Sequence, residues 1–135
     1  LACDLRIAAH HARLGLPEAR VGLLPGAGGT QRLTSLCGVG VAARLILSGD
    51  QIDGREAERL GLVQWSAHTL DFSDFAEEIA MRAAGLSADA LAAAKSCIRI
   101  ADRMSREGAD AEINGIGALM MAPGTERRVA EFLRR

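Results

Sequence analysis

The chain has 135 residues, which fits one compact domain. Hydrophobic residues make up 49% and charged residues 24%, the balance of a globular protein rather than a disordered one. Sixteen basic side chains against 17 acidic ones leave a formal net charge of −1, which gives no electrostatic case for nucleic acid or an anionic membrane surface. No apolar run approaches the roughly 20 residues that a membrane helix needs. The start, Leu1-Ala2-Cys3-Asp4, has neither Met nor a basic region leading into an apolar stretch, so it is expected to fall inside an existing element and not to be a signal peptide. Aromatic residues are only 3% with no Tyr, so the core must come from Leu, Ile, Val, Met and Ala. Cys3, Cys37 and Cys97 are odd in number, far apart and without a C-x-x-C pair, so buried thiols are expected rather than a disulfide framework or a zinc site.

The composition changes near residue 70. Before it, glycines and short apolar runs alternate; after it, the pattern is helical. Leu5 to Ala9 predicts a short strand, and Ala12 to Leu16 a second extended piece. Pro17, Pro25 and the glycine turn Gly26-Ala27-Gly28-Gly29 punctuate the next stretch. Thr30 is expected to cap a helix that Gly38 ends, with Val41 to Leu47 continuing as helix until Ser48-Gly49-Asp50. Asp53-Gly54-Arg55-Glu56 resembles a capping box opening a short helix closed by Gly61, and Leu62 to Ser66 predicts a last strand. Beyond Leu70, Ser73 or Asp74 is expected to open a helix with Phe75, Ile79 and Ala83 on one face. Ser87 opens another with Leu91, Ala94, Ile98 and Ala101. Ser105 starts a third carrying Ile113, Ile116, Leu119 and Met120, which Gly115 and Gly117 weaken. Thr125 to Arg135 forms the last, after Pro123-Gly124.

Several motifs invite chemistry. The glycine turn lacks the lysine of a phosphate-binding P-loop, since Lys95 is the only lysine in the chain. Gly38-Val39-Gly40-Val41-Ala42-Ala43 matches a dinucleotide fingerprint, but the preceding residues read as the end of a helix rather than the buried strand which that site requires. Gly26 to Gly29 with the helix after it could supply backbone N–H groups to an anion or oxyanion. His10-His11 beside Asp4 suggests a metal. Adjacent side chains on a strand face opposite ways, however, so a surface pair is the better reading, and His68 adds nothing to it. Glu18 follows Gly15-Leu16-Pro17 between two apolar stretches, with the glycine turn after it. Partial desolvation there would disfavour the charged carboxylate and suit it to proton transfer, although from the residues alone a solvated loop glutamate is the favoured reading, because most glutamates are exposed.

The segments C-D-L-R-I-A, L-G-L-P-E and V-G-L-L-P-G-A-G-G-T-Q-R-L, spanning Cys3 to Leu33, closely resemble the enoyl-CoA hydratase/isomerase (crotonase) family. Pro25 to Leu33 carries the most recognisable signature. The resemblance continues through Leu47-x-Gly49, Ala57 and Gly61-Leu62-Val63, and more loosely over the helical half. It implies an α/β fold: part of a crotonase-like ββα spiral in residues 1–70, with the N-terminal half missing, then a helical trimerisation region in residues 71–135. The implied activity is hydration of an α,β-unsaturated acyl-CoA thioester. Glu18 would be the catalytic carboxylate that donates or accepts the proton at the α-carbon, and Gly26 the substrate-binding glycine whose N–H lies near the added water. No metal and no separate cofactor is implied, because coenzyme A is part of the substrate. A homotrimer or hexamer in the cytoplasm is expected.

Against the family pattern, the first catalytic glutamate belongs to a G-G-x-x-E segment upstream of Leu1. The oxyanion-hole N–H groups and most of the loop gripping coenzyme A are likewise absent from the chain. Near the C-terminus Phe132 is kept, Arg127-Arg128 replace an acidic-Gly pair, and Arg134-Arg135 end the sequence. Two other readings stand beside hydration: an isomerase in which Glu18 alone shuttles the proton, and a catalytically silent truncated or oligomerisation fragment.

Overall fold

The computed structural model describes residues 1–101, 106–121 and 125–134. The expectations placed on Ser105, the Pro123-Gly124 break and Arg135 lie outside the described residues, as do those on the side chains of Cys97, Ala101, Arg128 and Phe132. Strand β1 (Ile7–Ala9) and strand β2 (Trp65–Ala67) pair in parallel, with Ile7 opposite Trp65 and Ala9 opposite Ala67. Both lie within the predicted extended stretches or one residue beyond them. Leu14 exchanges two backbone hydrogen bonds of 2.9 Å with Ile52, so the second extended piece forms an isolated antiparallel bridge. Gly15 follows there because a Cβ would stand 2.6 Å from the Asp50 carbonyl.

Helix α1 (Gly29–Leu47) is two helices joined at Gly38, whose φ of 79° and ψ of 165° break the helical path. Ser48 and the left-handed Gly49 terminate it as the sequence suggests. Its start differs from expectation. The cap is Gly28, left-handed at φ 82°, and Thr30 already lies in the first turn. With helix on both sides of Gly38 and no strand before it, the dinucleotide fingerprint has no structural setting.

Helix α2 (Gly54–Arg59) is capped by Asp53, whose carboxylate accepts the Glu56 N–H at 2.8 Å. Glu56 serves a different purpose from the reciprocal half of a capping box: it takes Arg59 at 2.7 Å and Arg44 at 3.2 Å. Gly61, left-handed, ends the turn after α2. Helix α3 (Phe72–Ala84) starts one residue before Ser73, after Asp71, and turns Ile79 into the interior with Phe75 and Ala83 half-buried on the same face. Helix α4 (Ala88–Ala101) opens at Ser87, whose hydroxyl accepts the Ala90 N–H. Helix α5 (Arg106–Met120) and helix α6 (Thr125–Leu133) complete the order.

The core is aliphatic, as the composition requires: Ala8, Leu33, Ala42, Leu45, Ile52, Ala57, Leu62 and Val63 form one buried cluster. The expected burial of the thiols is only partly met. Cys3 is exposed and Cys37 half-buried, where burial pushes its thiol above the usual range against the weaker opposing influence of Arg6. Among the described residues no helix is long and apolar enough to cross a membrane.

Candidate active site

Glu18 opens a four-residue 3-10 turn, Glu18–Val21, that directly follows Pro17. The turn closes on Gly22 in the left-handed region, and the Leu23 N–H returns to the Glu18 carbonyl at 3.1 Å. The backbone of Glu18 is thereby fixed by local bonds. The carboxylate oxygen Oε2 is buried and has no hydrogen-bond partner among the described residues. Leaving a buried polar atom unpaired costs about 1–3 kcal/mol, so its position is not explained by stability.

The glycine turn is brought beside this segment by close packing. A Cβ on Gly29 would lie 2.9 Å from the Pro25 side chain and 3.5 Å from Leu16, two residues before Glu18. Glycine at 29 therefore lets the start of α1 settle against the loop that carries the carboxylate. Ala27 takes a positive φ of 52°, unusual for a residue with a side chain. Its carbonyl accepts a hydrogen bond from the Arg32 guanidinium, which folds back from the first turn of α1 and lies across Gly28. The turn is also closed by the Gly29 N–H bonding the Gly26 carbonyl at 2.9 Å. The Gly29 donor is thus used internally, which removes it from the anion-binding set the sequence suggests for Gly26 to Gly29.

The two C-terminal helices pack back over this region. Gly26 faces the Ile116 side chain of α5 so tightly that a Cβ there would collide with it. At the neighbouring position the relation is reversed: a Cβ on Gly115 would lie 2.6 Å from Leu24. Gly115, a poor helix former by type, is what lets α5 approach. The buried Thr125 hydroxyl donates to the Leu119 carbonyl at 2.9 Å and ties the start of α6 to α5, and α6 lies against the Glu18 turn. Leu23, Met120, Thr125, Val129, Ala130 and Leu133 line an apolar cavity of about 460 Å³ between them. Sequence reasoning singles out Glu18 and Gly26 as candidates and says nothing of the Arg32 and Ile116 contacts, because nothing local marks a side chain as folding back on a loop.

The metal suggested by Asp4 and the histidines does not assemble. Asp4 pairs with Lys95 at 2.6 Å, and among the described residues no group of three His, Cys, Asp or Glu side chains could hold an ion. His10 and His11 also sit just past β1 rather than on it, and both line one depression with His68.

Known proteins share this arrangement of elements. The chain is 35% identical over 139 aligned positions to 2,3-dehydroadipyl-CoA hydratase of Escherichia coli (strain K12), covering 100% of this chain and 53% of that protein. It is 45% identical over 80 positions to the short-chain-enoyl-CoA hydratase of Clostridium acetobutylicum, covering 59% of this chain and 31% of the relative. The crystal structure of an enoyl-CoA hydratase/isomerase from Pseudoalteromonas atlantica T6c superposes with a TM-score of 0.87 at 26% identity, over 98% of this chain and 54% of that one. The chain therefore spans about half the length of such relatives. Residues 1–116 match the enoyl-CoA hydratase/isomerase family model, a span that takes in the Glu18 turn, the glycine turn and the part of α5 lying over them, and on that match the chain belongs to the enoyl-CoA hydratase/isomerase family.

Proposed function

We propose that this chain forms one side of the active site of an enoyl-CoA hydratase, with Glu18 as the group that exchanges a proton at the α-carbon of an α,β-unsaturated acyl-CoA. The observation that carries this reading is the Oε2 of Glu18, buried and without a hydrogen-bond partner among the described residues. A carboxylate oxygen kept away from protein donors has its lone pairs available to a substrate or a water. In hydration the hydroxyl of water bonds to the β-carbon, the double bond is lost, the α-carbon takes a proton from the protonated Glu18 carboxyl, and the proton that the water gives up passes to a carboxylate of the site, so that one water is added in all. Gly26 would present its backbone beside the reacting water. The family's other glutamate and the oxyanion-hole donors, usually the largest contribution to catalysis, would come from residues preceding Leu1. The ββα spiral over residues 1–70, the trimer-forming role of residues 71–135 and a cytoplasmic location belong to the same proposal.

The test is incubation of this chain, extended by the preceding segment that supplies the other glutamate and the oxyanion-hole donors, with crotonyl-CoA while the absorbance of the conjugated thioester is followed. Loss of absorbance that Glu18→Gln abolishes supports the reading. No turnover by the extended chain, with Glu18→Gln no different, overturns it. Conversion of a 3-enoyl to a 2-enoyl thioester without net hydration would assign the isomerase reaction instead. The half-length match favours a second reading, a silent fragment, which predicts neither conversion without that preceding segment.

A further inference from the structure

The glycine turn contains one residue that does not suit its own conformation. Gly26 to Gly29 is closed by the Gly29 N–H on the Gly26 carbonyl at 2.9 Å, with φ of 52° at Ala27 and 82° at Gly28. Positive φ at both central residues is the mark of a type I′ turn, whose first central position favours Asn, Asp or Gly. Ala27 has no polar side chain to bond locally, and its Cβ crowds the left-handed region. An alanine left unheld relaxes out of that region, so a contact from outside the turn has to keep it there.

Arg32 makes that contact. Its backbone N–H bonds the Gly28 carbonyl at 2.9 Å in the first turn of α1, and its neighbour Leu33 is only 1% exposed, so the arm is rooted in the core. The guanidinium returns across Gly28, where a Cβ would stand 2.9 Å from Cζ, and donates through Nη1 to the Ala27 carbonyl. A charged donor holds a carbonyl, and with it the peptide plane, more firmly than a neutral one. Gly26 needs such help, because a glycine has no side chain to restrict its own dihedral angles. On one side of it stands Pro25, fully buried, and on the other the turn that Arg32 holds. Between two fixed neighbours the Gly26 N–H has one direction.

We propose that Arg32 is a positioning residue for hydration: by keeping Ala27 left-handed it aims the Gly26 N–H at the reacting water. The proposal rests on the hydratase reading of Glu18 and Gly26, and adds to it a side chain that acts through the turn rather than on the thioester. Two measurements test it. The extended chain is assayed with crotonyl-CoA, and Ala27 of the chain is followed by NMR, where a left-handed residue shows a strong contact between its own N–H and Hα protons. Arg32→Met should weaken that contact and lower kcat about tenfold, with KM for the thioester within about twofold, because the water and not the thioester loses its partner. Adding Ala27→Gly should restore most of kcat, since glycine takes positive φ without being held. A loss due to the missing charge, or to a loosened fold, would not be repaired by a more flexible residue. Arg32→Lys keeps a charged donor and should lose less than Arg32→Met. An unchanged Ala27 contact or kcat in Arg32→Met, a loss confined to KM, or no recovery with Ala27→Gly would overturn the proposal. An extended wild type without turnover overturns the hydratase reading and with it the role in hydration, while the Ala27 contact separately decides whether Arg32 sets the turn.

Discussion

Gly26 shows how one residue can be constrained twice. The family resemblance assigns it a backbone role beside the reacting water, while the packing shows that Ile116 occupies the space a side chain would need. Gly26→Ala should therefore destabilise the fold by about 1–3 kcal/mol, the usual cost of overpacking a closed contact. The double variant Gly26→Ala with Ile116→Ala separates the two constraints. Chemical denaturation should show much of the loss recovered in the double variant, and activity should not return with it if the glycine is also needed by the substrate. The two described thiols differ just as plainly. Cys3 is exposed, whereas Cys37 is half-buried with its thiol pushed up by burial, so less of it is the reactive thiolate. Mass mapping after brief treatment with iodoacetamide should find Cys3 alkylated ahead of Cys37.

At the scale of elements, α1 and α2 are joined through charge as well as through the aliphatic core. Arg59 grips the Glu56 carboxylate with two bonds of 2.7 Å, and Arg44 adds a third at 3.2 Å while also reaching Asp50. The hydrogen bonds from Arg59 first, and then those from Arg44, hold the Glu56 carboxyl down to about 2 against its ordinary 4.5. A carboxyl depressed by folding stabilises the native state above its unfolded value and ceases to do so as pH falls through its folded value. The melting temperature of the wild type should thus exceed that of Glu56→Gln at neutral pH. That gap should begin to close below about pH 4.5 and vanish near pH 2. A gap unchanged down to pH 2 would contradict the arrangement.

The same elements show what a sequence can disclose. Asp53 before Gly-Arg-Glu, Gly49 after a long apolar helix and the Phe75–Ile79–Ala83 stripe are local signals, and the structure follows each of them. The helix start at Gly28 is misjudged because threonine is a good cap in isolation, whereas here a left-handed glycine and the returning Arg32 close the turn. Glu18 is marked by its motif. Its unpartnered oxygen, the Ile116 contact and the meeting of three histidines depend on which segments the fold brings together, and no local spacing encodes that.

Across the whole molecule, α5 has two unlike sides. Ile116 packs on Gly26 of the glycine turn and Leu119 is half-buried, while Ile113, Met120 and the adjoining Met121 remain 70%, 68% and 85% exposed. Ile98 of α4 and Leu133 of α6 add further exposed apolar surface among the described helices. Such residues occur singly on most soluble proteins, but several large ones concentrated on consecutive helices are the usual mark of a surface that another chain covers. A second copy of this chain is the simplest cover, since homo-oligomers with closed symmetry are the common outcome for self-complementary patches. Sedimentation equilibrium should therefore report a species heavier than the 14.2 kDa of one chain. Ile113→Glu combined with Met121→Glu should shift it toward that mass without loss of helical circular dichroism, because neither side chain is buried within the chain. A wild type that sediments at 14.2 kDa across the accessible concentrations would show that these faces do not meet one another.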